Sequence, residues 1–229
     1  MAAGDYLKDK YQTKIAVVEA LECPTLLHGG YGEHNIQGIG DKHVPLIHNV
    51  MNTDFVVDVS DQATNNLNMI FNTDIGRKFL IEQKNFDPTF VARLPEFGFS
   101  AIANIIASIK LAKYMDLNSD DAIITVATDG ADLYMSELNK TINDFKNNYD
   151  EIVCAELYGK HLSGLSTDNM LELSQIDKKR IFNLGYFTWV EQQGISLEDF
   201  EKRKNQDFWN SHYNYMLSLD NQIKEFNNM

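Results

Sequence analysis

Two kinds of hydrophobic pattern alternate along the chain. Three short runs are apolar at most positions and rich in β-branched residues: KIAVVEA (Lys14–Ala20), FVVDVS (Phe55–Ser60) and AIITVAT (Ala122–Thr128). Near-continuous apolar character over so few residues predicts strands buried on both faces of a parallel sheet. Between them the apolar spacing changes to three and four. One helical pattern opens behind Ser60, a good N-cap, and continues through Leu67, Ile70 and Phe71. A second, FSAIANIIASIKLAKYM, runs from Phe99 to Met115. Strands alternating with helices predict an α/β fold with crossover connections.

The ends carry helical patterns too. MAAGDYLKDKYQTK reads as a helix with Tyr6, Leu7 and Tyr11 as its buried stripe, but it has no N-cap and no strand before it. A parallel sheet of three strands is small and leaves edges unpaired. Both features lead to the expectation that further sequence belongs upstream, with exposed apolar surface near residues 1–20 and self-association of the isolated chain. Downstream, DEIVCAELYGKHL (Asp150–Leu162) and SQIDKKRIFNLGY (Ser174–Tyr186) are amphipathic. SLED at Ser196–Asp199 has the form of a capping box with Asp in place of Glu. In the last segment Phe208, Trp209, Tyr213, Met216, Leu217 and Ile223 recur at helical spacing, a stripe for the core or a subunit contact.

Composition narrows the functional classes. A chain of 229 residues with a net charge of −13 is long enough for a substantial core. That charge argues against binding nucleic acid through phosphates and against attachment to anionic membranes. No apolar run is long enough to span a bilayer, and no basic-then-apolar leader is present. Cys23 and Cys154 match no disulfide or metal framework, so a reducing cytoplasm is the expected compartment.

The candidate chemistry lies behind the strands. HGGYGEHNIQGIGDKHVP (residues 28–45) follows the first run, and loops at the C-terminal ends of parallel strands are where open α/β sheets bind ligands. Gly29, Gly30, Gly32, Gly38 and Gly40 permit positive φ and close backbone approach. Their spacing is not G-x-G-x-x-G, and no G-K-[ST] follows. Spacing alone leaves the loop balanced between scaffold and ligand cradle. His28, His34, His43 and His48 lie near Glu22, Cys23, Glu33 and Asp41, but in no metal-ligand pattern. Surface or hydrogen-bonded histidines are expected, and no metal. Thr128, Asp129 and Gly130 end the third run, as an Asx-type turn or as a second ligand-facing loop.

Taken in order, these segments carry a resemblance. GEHNIQGIGDKHVP resembles the P-H-K-I-Q-G-I-G-x-G-F-x-P segment of the cysteine synthase and cystathionine β-synthase group, pyridoxal-phosphate enzymes of fold type II. AAGDYLKDKY resembles that group's T-G-x-G-R-Y-L-K helix, and DFVVDVSDQATNNLNMIF its V-S-D-x-x-A helix with the strand before it. GFSAIANIIASIKLAKYM resembles G-I-S-S-G-A-N-x-A-A-A-L-x-L-A-K, and TVATDGADLYMSE resembles the final strand with P-D-S-x-x-R-Y-L-S. RIFNLGYFTWVEQQGISLEDFE resembles the C-terminal extension of a bacterial subgroup, pyridoxal-phosphate-dependent protein subunit beta.

The resemblance implies an α/β fold in which residues 1–148 are the C-terminal part of a parallel-sheet fold type II domain and residues 149–229 a helical extension packed on it. It implies that Gln37, Gly38, Ile39, Gly40, Thr128, Asp129 and Gly130 face the cofactor, and that Gly98 and Ser100 face the substrate. Aligned on Tyr134, the family's serine near the pyridine nitrogen falls on Gly130, a departure that leaves Thr128 or Asp129 to substitute, with Thr128 favoured. The Schiff-base lysine and the phosphate loop have no counterpart. None of the sixteen lysines is expected in that role, their settings reading as helix surfaces and loops, and no catalytic residue is assigned. The implied activity is a β-elimination or β-replacement on an amino-acid substrate. It would be performed only by an oligomer completed by an N-terminal partner chain, with pyridoxal phosphate bound only then. The alternative is a non-catalytic remnant or interaction subunit that keeps the fold.

Overall fold

Two of the three apolar runs pair in a sheet. The structure, a computed structural model, describes residues 2–146 and 148–228, and the side chain of Leu217, one of the aromatic-stripe positions, lies outside the described residues. In chain order the elements are α1 (Ala2–Tyr11), β1 (Ala16–Ala20), α2 (Thr25–His28), β2 (Phe55–Val59), α3 (Asp61–Asn72), α4 (Asp74–Glu82), α5 (Pro88–Arg93), α6 (Phe99–Tyr114), α7 (Met135–Asp144), α8 (Glu151–Tyr158), β3 (Met170–Glu172), α9 (Gln175–Tyr186), α10 (Leu197–Lys202) and α11 (Gln206–Asn227).

The strand order is β1-β2-β3. β1 and β2 are parallel: the Ile15 carbonyl accepts from Asp54 and Phe55 N–H at 2.8 and 3.0 Å, and Leu21 N–H donates to the Val59 carbonyl at 3.0 Å. β3 runs antiparallel, with Asp58 N–H donating to Asn169 and Leu173 N–H to Asp54, both at 2.8 Å. The sheet is therefore mixed, a parallel pair with an antiparallel third strand. Every residue of β2 is buried, as expected for the central strand, and β1 is half-buried at an edge. The expected third strand is not one. Residues 122–128 join no sheet, and they are exposed throughout. A β-branched run fits a pleated, half-buried surface, and it becomes a strand only where a neighbour supplies the ladder. Among the described residues none does.

The helices form where their caps are. Ser60 accepts from Ala63 N–H at 3.2 Å to open α3, and Thr73 accepts from Gly76 N–H at 3.1 Å to open α4. A full capping box opens α9, Ser174 and Asp177 bonding each other's main-chain N–H. At α10 the Ser196 side chain accepts from Asp199 N–H at 3.1 Å. Among the described residues no helix is long and apolar enough to cross a membrane.

The chain divides into two compact units. One comprises Met1–Val17, Asp41–Val56 and Leu171–Met229, the other Val18–Gly40 and Val57–Met170. The first has a core of Val44, Phe55, Val56, Ile181, Phe182 and Phe200. Within it α1 corrects the expected stripe. Tyr6 and Tyr11 are 57% and 69% exposed, and Asp5 is buried instead. The Asp5 carboxylate accepts from Asn49, Asn52 and Tyr213 at 3.2, 2.6 and 2.6 Å, so a polar network holds α1 in place. The α11 stripe is half-buried at Phe208, Trp209 and Tyr213, whereas Met216 and Ile223 are exposed. The Lys178 ammonium is buried and donates to the Met51 carbonyl at 3.2 Å.

The second unit packs α3, α4 and α6 around Val57, Leu67, Ile70, Leu80, Phe99 and Ile102. Here too a lysine departs from the expected surface setting. Lys110 is 4% exposed and donates to the main-chain carbonyls of Asp58 and Asp168 at 2.8 and 2.7 Å. Asp58 is fully buried beside Glu19. No donor reaches either Asp58 carboxyl oxygen among the described residues, and burial raises both carboxyls above the usual range. Burial, then the Glu19 charge, pushes Asp58 up to about 8, against the pull of Lys110.

This carboxyl sets a pH dependence. Its folded value lies above its unfolded one, so the folded chain keeps a proton that the unfolded chain releases. Stability therefore falls as pH rises from the ordinary carboxyl range toward about 8. Asp58→Asn removes the titration and keeps the shape. Denaturant melts should show the variant gaining on the parent by on the order of 1–3 kcal/mol between mildly acidic and mildly alkaline pH. Parallel pH profiles for the two proteins would contradict the raised Asp58 carboxyl.

Candidate functional site

The site is built within the second unit from one helix start and two loops. α6 begins at Phe99 behind Gly98, whose N–H donates to the Asp129 carbonyl at 2.9 Å. That bond brings the end of the 122–128 segment to the first turn of α6. There the Ser100 and Thr128 hydroxyls hydrogen-bond at 3.2 Å. The glycine at 98 is required by space, its φ of −79° being ordinary. A Cβ there would fall 2.1 Å from Asp129 Oδ1 and 2.8 Å from Tyr134 Cε2.

Asp129 is oriented from its other side. Its Oδ2 accepts from the Tyr134 hydroxyl at 2.6 Å, and Tyr134 stacks on Phe99 with centroids 4.5 Å apart. Burial, and then the Asp129 carboxylate, pushes the Tyr134 hydroxyl up to about 12, so it remains a donor. Asp129 Oδ1 is buried and has no hydrogen-bond partner among the described residues. Gly130 sits close by, where a Cβ would lie 2.9 Å from Asp132 Oδ1 and 3.2 Å from the Pro95 carbonyl.

The glycine loop arrives from β1. Gly38 takes φ +81° and lies in ordinary contact range of α6, where a Cβ on it would be 4.0 Å from Ser100 Cβ. Gly40, at φ +94°, faces the His34 ring, whose Nε2 would be 3.0 Å from such an atom. At both positions the positive φ would strain any other L-residue and costs glycine little. Between them Ile39 turns into the core, and Gln37 is exposed. The loop main chain is fixed by one carboxylate. Asp61, the first residue of α3, accepts from Asn35 N–H at 2.6 Å and Ile36 N–H at 3.0 Å. The Asn35 amide adds bonds to Asn65 and Glu137 at 3.0 and 3.1 Å. The Asp61 N–H is in turn taken by Glu22 at 3.0 Å.

Of the residues singled out in the sequence, Gly38, Ser100 and Thr128 thus come together, with Gly98, Asp129 and Gly130 beside them. The anchors Asp61, Asn35 and Glu137 were missed. The signal at hand was an acidic residue directly after the Ser60 cap, which reads as helix chemistry alone. The histidines are dispersed in role. His48 is buried on the Thr53 hydroxyl at 2.9 Å, and burial pulls it down to about 4, so it is neutral. His43 is exposed beside Asp41. A polar cavity of about 560 Å³ is lined by Glu22, Asp61, Gln62, Asn65, Thr141 and Lys160, among others, and by none of the residues expected to face the cofactor or substrate.

Over 134 residues the chain is 31% identical to cysteine synthase B of Campylobacter jejuni. The matched stretch is 58% of this chain and 38% of the relative, so the chain spans well under half of the curated protein it matches. No family model and no solved structure matches the sequence. The similarity supports a distant relationship to the pyridoxal-phosphate-dependent enzymes of fold type II.

Gly98→Ala should cost about 1–3 kcal/mol by overpacking against Asp129 and Tyr134, read as a lower urea midpoint. Removing the obstructing carboxylate as well, with Asp129→Gly, should return part of that loss in a double-mutant cycle. Strict additivity would mean that the two residues do not press on each other.

Proposed function

We propose that this chain is the C-terminal part of a pyridoxal-phosphate-dependent amino-acid lyase or synthase of the β-elimination or β-replacement type, inactive until an N-terminal half joins it. Residues 1–148 would belong to the cofactor domain and 149–229 to a helical extension. The observation that carries this reading is the meeting of Gly38, Ser100 and Thr128, three segments far apart in the chain, in a protein similar to a cysteine synthase.

The residues present fit one side of the cofactor. Gly38 and Gly40 leave the loop backbone open for close approach, and the Ser100–Thr128 pair offers hydroxyls beside it. When bound, pyridoxal phosphate supplies an electron sink for a carbanion at the substrate α-carbon. Thr128 would hold the ring nitrogen through its hydroxyl and leave it unprotonated, since a hydroxyl favours no extra charge there. Ser100 would hold Thr128 in position. Lys110, the most buried lysine, is engaged with two carbonyls, so the amine for covalent attachment is assigned to the partner half.

The test is reconstitution. Neither this chain nor an N-terminal half bearing the lysine and phosphate loop should colour with pyridoxal phosphate or consume serine derivatives, whereas the mixture should do both. Thr128→Val should weaken cofactor binding by about tenfold with an unchanged urea midpoint. Colour and turnover by this chain alone would overturn the claim of an incomplete site. A stable but colourless complex would favour the interaction-subunit reading.

A further inference from the structure

The polar cavity of the second unit lies where helices meet with polar faces. α3 contributes Asp61, Gln62, Asn65 and Asn66, spaced three and four apart, and α7 brings Thr141 and Asp144 at the same spacing. Phe145, Leu157 and Lys160 complete the walls with Glu22, which follows β1. α3 packs against both α7 and α8. Helix faces that meet inside a protein ordinarily carry apolar residues. Here hydrogen-bonding groups surround a space of about 560 Å³, within the size range of small-ligand sites.

The walls are rich in unmatched acceptors. Asn66 and Thr141 are only 6% and 8% exposed. The Asn66 Nδ2 is bonded to the His161 ring at 3.1 Å, and the Thr141 hydroxyl donates to the Glu137 carbonyl at 2.9 Å. Among the described residues no donor reaches Asn66 Oδ1 or Thr141 Oγ1. A buried oxygen in that state calls for a donor. The Asp144 carboxylate is unmatched among the described residues as well. Glu22 takes the Asp61 N–H, yet burial still holds its carboxyl above the usual range.

Charge selects the ligand. Glu22, Asp61 and Asp144 stand against the single ammonium of Lys160, which is turned to Gln62 Oε1 at 2.8 Å. A ligand with its own carboxylate would meet three others. Among the described residues no three His, Cys, Asp or Glu converge closely enough to hold a metal ion. The negative charge is therefore spread along the walls and suits an extended organic cation, with Phe145 and Leu157 as apolar wall for its methylenes.

We infer that this cavity binds a small aliphatic di- or polyamine. Its ammonium groups donate to Asp144, Glu22 and the Asn66 and Thr141 oxygens, and its methylenes lie on Phe145 and Leu157. Asp61 belongs both to the cavity and to the glycine loop, so an occupied cavity also holds the Asn35 and Ile36 main chain more firmly. The inference stands on the cavity alone and holds whatever the chain does with a cofactor.

Calorimetry on the full chain tests it with putrescine, butylamine, butanediol and magnesium chloride. Putrescine should bind saturably, at least about tenfold more tightly than butylamine, and more weakly as salt is raised. Butanediol should not bind. Asp144→Asn should lower putrescine affinity about tenfold without lowering the melting temperature of the free chain. Asp120→Asn, at an exposed carboxylate outside the cavity, should leave the affinity unchanged. Hydrogen exchange at the Asn35 and Ile36 amides should slow when putrescine is added. Butanediol or magnesium binding as tightly as putrescine, equal losses in the two variants, or protection that spares Asn35 and Ile36 would each overturn the proposal.

Discussion

Two main-chain N–H groups on one carboxylate hold the candidate site in shape. Asp61 takes the N–H of Asn35 and of Ile36, and so ties a loop with two positive-φ glycines to the start of α3. Glycine loops lose more freedom on ordering than any other sequence, and short, charge-assisted bonds are the means of meeting that loss. The carboxylate sits at a helix start, where the unpaired N–H groups of the first turn favour negative charge. Glu22 shares this environment by accepting the Asp61 N–H, although burial holds its own carboxyl above the usual range. From this anchorage, joined by the Asn35 amide bonds to Asn65 and Glu137, the loop reaches α6 at Gly38 and Ser100.

What was legible in the sequence was whatever is local. The FVVDV run, the Ser60 cap and the long α6 pattern each depend on neighbours a few residues away, and each forms as read. Gly38, Ser100 and Thr128 were legible through a resemblance, which orders segments along a chain without saying what joins them. The joining bonds were not legible. Asn35 reaches Asp61 across 26 residues and Glu137 across 102, and no period records such a pairing. The α1 stripe failed because a buried Asp5 with three donors outcompeted two tyrosines, a choice set by partners remote in sequence. The third strand failed for the complementary reason. Its composition describes a pleated surface, and the ladder must come from elsewhere.

Polar groups placed deep in both units accompany this arrangement. Asp58 and Glu19 are buried side by side, and burial raises both carboxyls above the usual range. In the other unit Arg203 is buried, with its guanidinium 5.1 and 5.4 Å from the centres of the Phe200 and Phe182 rings, and burial works against its charge. Cation–π contact offsets part of the desolvation of such a group, and an apolar replacement of similar volume is often no worse for stability.

The exposed run from Ala122 to Thr128 also bears on how the chain meets proteases. Nicking concentrates where the backbone is exposed and no sheet pairing has to be broken first, and this segment belongs to no sheet among the described residues. Cleavage there would need no global unfolding, so resistance to nicking and resistance to denaturant become separate properties of this chain.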